Sequence, residues 1–195
     1  MNQQPSLKRR EVVRTLLQDR GDLLVIAGLG ATAWDVAAVD PQQSLDFPLW
    51  GAMGGAAMIG LGLALAQPTR KVVVITGDGE LLMGLGSLAT IAVQRPRNLR
   101  IVVIDNEHYG ETGYQPTHTH RGTDLAAVAL ACGFPQADTL WTMDAVSRLC
   151  ADLHRSEDLL LAVVKVALTD DPKVLPPRDG AYLKQRFRTA LVGTI

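Results

Sequence analysis

Two apolar runs constrain this chain most, because the interior of a parallel sheet buries stretches of this kind on both faces. Lys71-Val-Val-Val-Ile-Thr76 and Leu99-Arg-Ile-Val-Val-Ile104 are rich in β-branched residues and lack the polar alternation of a half-solvated strand. A helix-length segment from Leu81 to Gln94, closed by Pro96, separates them, which is the spacing of a βαβ unit. Each run ends in oxygen-bearing residues, Gly77-Asp78-Gly79 in one case and Asp105-Asn106-Glu107 in the other. The carboxyl ends of neighbouring parallel strands border one crevice, and open α/β sheets bind ligands there. One carboxylate and one amide oxygen, with glycines leaving room for phosphate oxygens, can hold Mg²⁺ on a diphosphate. Asp78 alone reads more readily as a helix N-cap in a βα turn. Asn106 favours ligation, since Asn is depleted in strands and stands here at the end of the next one.

The rest of the chain repeats the alternation. Leu7–Leu17 carries Val12, Val13, Leu16 and Leu17 at helical spacing. Asp22–Ala27 reads as a buried strand ending in Gly28-Leu29-Gly30-Ala31-Thr32, and Thr32–Val39 as a short helix stopped by Asp40-Pro41. Leu45–Trp50 is extended and is broken by Gly51-Ala-Met53-Gly-Gly55. A small-residue helix then runs to Ala66, able to press closely on a neighbouring backbone or subunit. Residues 107–122 lack periodicity and read as one long functional loop. Asp124 caps a helix to Ala131, Asp144 starts another to Leu153, and Leu159–Val166 is the last strand. Residues 170–180, with three prolines, lead to a final helix over 181–191. The expected fold is a single α/β domain over 1–195, with a doubly wound, mainly parallel sheet flanked by helices.

Composition narrows the function classes. With 195 residues and 47% apolar content, the chain can bury roughly 70% of its unfolded surface. A net charge of −1 with no basic block argues against nucleic acid. Residues 52–66 are too short and glycine-rich to span a bilayer, and the polar, basic start has no signal-peptide core. Cys132 and Cys150 form no CxxC pair and read as buried thiols of a reducing compartment, so a cytoplasmic protein is expected.

Gly77-Asp78-Gly79 followed by Asn106 resembles the cofactor motif of thiamine diphosphate-dependent enzymes. The loop Asp105-Asn-Glu-His-Tyr-Gly-Glu-Thr-Gly-Tyr-Gln-Pro-Thr117 and the segment Leu82–Ile91 resemble the sulfopyruvate and phosphonopyruvate decarboxylase group within that family. The resemblance implies thiamine diphosphate and Mg²⁺ as cofactors, with Asp78, Asn106 and the carbonyl of His108 as metal ligands. It further implies that the Gly51 carbonyl and the Met53 N–H bond the aminopyrimidine. Met53 is then the apolar wedge that bends the cofactor until its amino group meets the reacting carbon, an arrangement that gains a held geometry. Gly28, Ala31 and Thr32, with Gly77, Gly79, Glu80, Tyr109 and Gly110, would form the remaining cofactor contacts.

Two departures from the family pattern stand out. Asp105 replaces a second Asn, and Glu80 stands where many relatives carry a small residue that contacts the diphosphate. A carboxylate aimed inward at position 80 would repel phosphate, so Glu80 is expected to face solvent and offer only its N–H. His118 and His120, alternating in Thr-His-Thr-His, are candidates for binding an anionic substrate or shuttling a proton. As a zinc pair they lack partner ligands.

The family also needs a glutamate on a separate pyrimidine-binding domain. The resemblance therefore implies a partner subunit that supplies this Glu, in a hetero-oligomer or with a second copy, acting on a small anionic 2-oxo acid. A carboligase, an aldehyde- or 2-oxo acid-oxidising complex and a non-catalytic cofactor-binding partner are the alternatives. Two isolated cysteines disfavour an iron–sulfur component.

Overall fold

The computed structural model describes residues 5–193. At its centre is a six-stranded, all-parallel sheet. In chain order its strands are β1 (Leu24–Ala27), β2 (Asp46–Pro48), β3 (Val72–Gly77), β4 (Leu99–Asp105), β7 (Gln136–Leu140) and β8 (Leu160–Lys165), arranged in space as β2-β1-β3-β4-β8-β7. After β1 the chain steps to one side to form β2, then returns to the other side for β3. The strand order thus reverses between β1 and β3, and the crevice at their carboxyl ends is the switch point where such sheets bind ligands.

Alternate side chains of each strand enter different cores. Val72, Val74, Leu99, Ile101 and Val103 point to one face, Val73, Ile75, Val102 and Ile104 to the other. The second face is covered by α1 (Arg9–Leu16), α2 (Ala31–Val39) and α7 (Met143–Arg155). The first is covered by α3 (Ala56–Ala66), α4 (Asp78–Met83), α5 (Ser87–Gln94), α6 (Leu125–Cys132) and α8 (Gly180–Val192). Caps follow residue chemistry: Asp124 accepts the Ala127 N–H, Thr142 the Ala145 N–H, and Asp179 the N–H groups of Ala181 and Tyr182.

Three expectations are corrected. The helix foreseen over 81–94 is two helices, broken at Gly84-Leu85-Gly86, where chain reversal brings Gly84 against Gly54. The loop over 107–122 is ordered: β5 (His108–Tyr109) pairs antiparallel with β6 (Gln115–Pro116), and a 3₁₀ turn spans Thr119–Arg121. β7 went unforeseen, because Gln136-Ala-Asp-Thr-Leu140 is a polar edge strand with little apolar signal of its own.

Candidate functional site

A cleft of about 300 Å³ opens at the β1/β3 switch point. The β1–α2 turn contributes Gly30, Ala31 and Thr32 to its wall, the β3–α4 junction Gly77, Asp78, Gly79 and Glu80. Asn106, following β4, and His108, Tyr109 and Gly110 of the hairpin form another side, and Met53 enters from the loop before α3. Most of the residues singled out in the sequence therefore converge. Four do not line the cleft: Gly28 is buried beneath it, Gly51 is exposed, and His118 and His120 are exposed behind it. Arg9 reaches the cleft unforeseen, its guanidinium bonded to Asp35 at 2.7 Å and to the Ala31 carbonyl at 3.1 Å.

Asp78 and Asp105 leave adjacent strands at one level, since Gly77 pairs with Ile104 in the β3–β4 register. Asp78 is buried, and its Oδ2 accepts the Thr117 hydroxyl at 2.6 Å and lies 3.3 Å from that of Thr119. Burial and the neighbouring Asp105 carboxylate push its carboxyl up to about 7. Asp105 is itself paired with Lys165, which bonds its Oδ2 at 2.9 Å and Glu107 at 2.5 Å. Lys165 thus compensates the extra negative charge that Asp105 introduces, while Asp78 has no cationic side-chain partner among the described residues. A divalent cation fits this donor set.

Among the described residues no group of three or more His, Cys, Asp or Glu side chains is arranged to hold a metal. One carboxylate, one amide and a carbonyl, completed by phosphate oxygens, is the pattern that suits Mg²⁺. The turn after β4 is fixed locally. Asn106 Oδ1 accepts the His108 N–H at 3.0 Å, and Glu107 lies at φ 64°, a left-handed backbone costly for a side chain of its size.

Met53 is held by two close contacts of its loop. Ala52 takes φ 58° and its carbonyl accepts the Gly55 N–H at 2.8 Å, a tight turn around Met53. A Cβ on Gly84 would stand 2.2 Å from the Gly54 carbonyl oxygen, so these two backbones touch and tie the Met53 loop to the α4–α5 break. Gly79 serves a similar purpose. A Cβ there would stand 2.5 Å from Cε1 of Tyr109, whose ring lies on the glycine and closes the cleft from the hairpin side.

Glu80 contradicts the expectation that it faces solvent. Its side chain is buried, with Oε2 accepting the Thr76 hydroxyl at 2.8 Å and Oε1 the Ala56 N–H at 3.3 Å. The Leu29 N–H also bonds this carboxylate, and burial raises its pKa. The side chain turns beneath Gly28, where a Cβ would stand 2.0 Å from Oε2, and satisfies donors of three segments. That is how a carboxylate is tolerated beside a phosphate site. Thr32 spends its hydroxyl on the Gly28 carbonyl at 2.8 Å, which leaves its backbone N–H as the group it can offer a ligand.

In Thr117-His118-Thr119-His120 the structure brings the threonines, not the histidines, to the buried carboxylates. The threonines are buried against Asp78 and Asp105, whereas the histidines point outward, His120 pairing with Glu107 at 3.2 Å. The threonines turn inward because His118 takes a helical backbone and leads into the 3₁₀ turn over Thr119–Arg121, a local geometry with no periodic signal in the sequence.

A parallel α/β sheet whose switch-point cleft is lined by Asp78 and Asn106 has the architecture of a ligand-binding α/β protein. Residues 28–172 match the family described as thiamine pyrophosphate enzyme, C-terminal TPP binding domain, and the chain belongs to that family. It is 40% identical over 136 residues to the sulfopyruvate decarboxylase subunit beta of Methanocaldococcus jannaschii, covering 69% of this chain and 70% of that one. Over 159 residues it is 38% identical to the phosphonopyruvate decarboxylase of Streptomyces hygroscopicus, covering 80% of this chain but only 36% of that protein. The fold superposes on benzoylformate decarboxylase from Polynucleobacter necessarius with TM-score 0.69 at 20% identity, over 85% of this chain and 34% of that one.

Proposed function

We propose that this chain is the diphosphate- and Mg²⁺-binding subunit of a thiamine diphosphate-dependent decarboxylase of small anionic 2-oxo acids such as sulfopyruvate or phosphonopyruvate. The observation that carries the reading is Asp78, a buried carboxylate without a cationic partner among the described residues, lining the switch-point cleft together with Asn106. When bound, thiamine diphosphate supplies an electron sink for the pair released as CO₂ departs. Asp78, Asn106 and the His108 carbonyl would hold the cation, and the N–H groups of Ala31 and Thr32 would serve the diphosphate. Met53 would be the apolar wedge against the bound cofactor, the Gly51 carbonyl, exposed outside the cleft, would bond the pyrimidine, and the Tyr109 ring would exclude water from the anchored end. The domain comprises the whole of 1–195, and no residue of it is assigned as the glutamate that activates the cofactor. A partner subunit supplies that group. Exposed Met58 and Leu65 on α3 and Met83 on α4 support an interface there.

Among the described residues no helix is long and apolar enough to cross a membrane. A cytoplasmic location belongs to the same proposal and is supported by the free thiols of Cys132 and Cys150. The test is to co-purify the chain with its partner and measure CO₂ release from a panel of 2-oxo acids. Turnover is expected only with both subunits, thiamine diphosphate and Mg²⁺. Normal turnover by this chain alone refutes the divided site.

A further inference from the structure

Asp78 has two oxygens, and the structure treats them differently. Oδ2 accepts the Thr117 hydroxyl at 2.6 Å and is approached by Thr119 at 3.3 Å, whereas Oδ1 takes no side-chain hydrogen bond among the described residues. Thr117 is itself fixed. Its N–H bonds the Glu107 carbonyl at 2.8 Å, and the residue is 1% exposed. Thr119 is anchored in turn, with its hydroxyl 2.9 Å from Asp105 Oδ1 and 2.9 Å from Thr117 Oγ1. Lys165 holds the other oxygen of Asp105. The chain of contacts runs from β8 to the proposed cation ligand and leaves Asp78 little freedom to rotate.

We propose that Thr117 is a positioning residue for the cation: by occupying Asp78 Oδ2 it presents Oδ1 as the single ligating oxygen. The inference rests on the reading that Asp78 holds a divalent cation on the diphosphate. Mg²⁺ requires near-octahedral geometry with ligands at about 2.0–2.1 Å, so a carboxylate locked in one-oxygen presentation suits it better than one free to swing toward two-oxygen ligation. Partners that orient a ligand in this way are commonly worth 10–100-fold in metal affinity. Thr117 also ties the hairpin and the turn at Glu107 to Asp78. One hydroxyl therefore sets the carboxylate and helps place the Asn106–His108 turn that carries the other expected ligands.

The test is a Mg²⁺ titration of the full chain at fixed, millimolar thiamine diphosphate, followed by tryptophan fluorescence, since Trp34 lines the cleft. Thr117→Val is expected to raise the half-saturating Mg²⁺ concentration about 10–100-fold. Thr117→Ser, which keeps the hydroxyl, is expected to return it to within about threefold of the parent. A merely structural role moves the thermal midpoint of the metal-free chain and leaves the Mg²⁺ concentration dependence alone. If valine yields no folded chain by circular dichroism, Thr117→Ala carries the same expectation. A hydroxyl-free variant that titrates like the parent overturns the proposal, provided Asp78→Ala abolishes the Mg²⁺ dependence. If Asp78→Ala leaves it intact, or neither the parent chain nor its co-purified complex with the partner subunit shows Mg²⁺-dependent binding, the cation reading itself falls and this inference with it.

Discussion

Replacing Glu80 by alanine tests whether a carboxylate beside a phosphate site is an architectural clasp. Its oxygens satisfy the Thr76 hydroxyl and the backbone N–H groups of Ala56 and Leu29, which belong to β3, the start of α3 and the turn after β1. A buried donor left without a partner costs about 1–3 kcal/mol, so three at the lower half of that range give about 3–6 kcal/mol. Removal of the carboxylate also relieves its own burial cost, which its raised pKa displays, and water entering the gap restores part of the bonding. A net loss of about 2–3 kcal/mol follows, which for a chain of this size is about 4–12 °C in thermal midpoint.

Glu80→Gln adds a check of sign. Burial raises the folded pKa of Glu80 above its ordinary value, so the folded state binds a proton that the unfolded chain releases. Stability contributed by protonated Glu80 is full below the unfolded pKa and is lost as pH rises toward the raised folded one. Glutamine does not titrate. The stability gap between parent and Glu80→Gln should therefore be widest at low pH and should narrow as pH rises. Midpoints measured by circular dichroism on the metal-free chain read both effects. A Glu80→Ala midpoint within 2 °C of the parent, or a glutamine gap that widens with pH, refutes the clasp.

Three further outcomes are expected. Gly84→Ala drives a Cβ to 2.2 Å from the Gly54 carbonyl, so the Met53 loop must shift; thiamine diphosphate affinity by calorimetry should fall at least about tenfold while helix content is retained. Gly79→Ala displaces the Tyr109 ring, and combining it with Tyr109→Ala should recover part of the stability lost in the single variants, a coupling read from a double-mutant cycle in denaturant. Strict additivity would disprove the contact. In the metal-free chain Asp78 is raised to about 7 and so favours the protonated fold. Relative to Asp78→Asn, the parent should lose stability as pH rises from about 4 to about 7, and Mg²⁺ with thiamine diphosphate should reverse that loss above about 7. A parent that gains on Asp78→Asn across this interval without metal contradicts the assignment.

The sequence by itself determined what short-range periodicity and turn chemistry can carry. The apolar runs of β3 and β4 read as interior strands, Asp124 as a cap, and Asp78 with Asn106 as a pair at two strand ends, because each signal lies within a few residues or one βαβ unit. The motif at those ends was also specific enough to place the chain in its family. Only the tertiary structure decided where Glu80 points. Its partners Ala56 and Leu29 lie far away along the chain, and a solvent-facing side chain was the cheaper local choice. The Gly54–Gly84 contact at the break between two helices, the β7 edge strand and the inward turn of Thr117 and Thr119 onto Asp78 and Asp105 were likewise settled by long-range packing. Burial is a property of the assembled fold, and a polar side chain turns inward only where distant segments bring it donors.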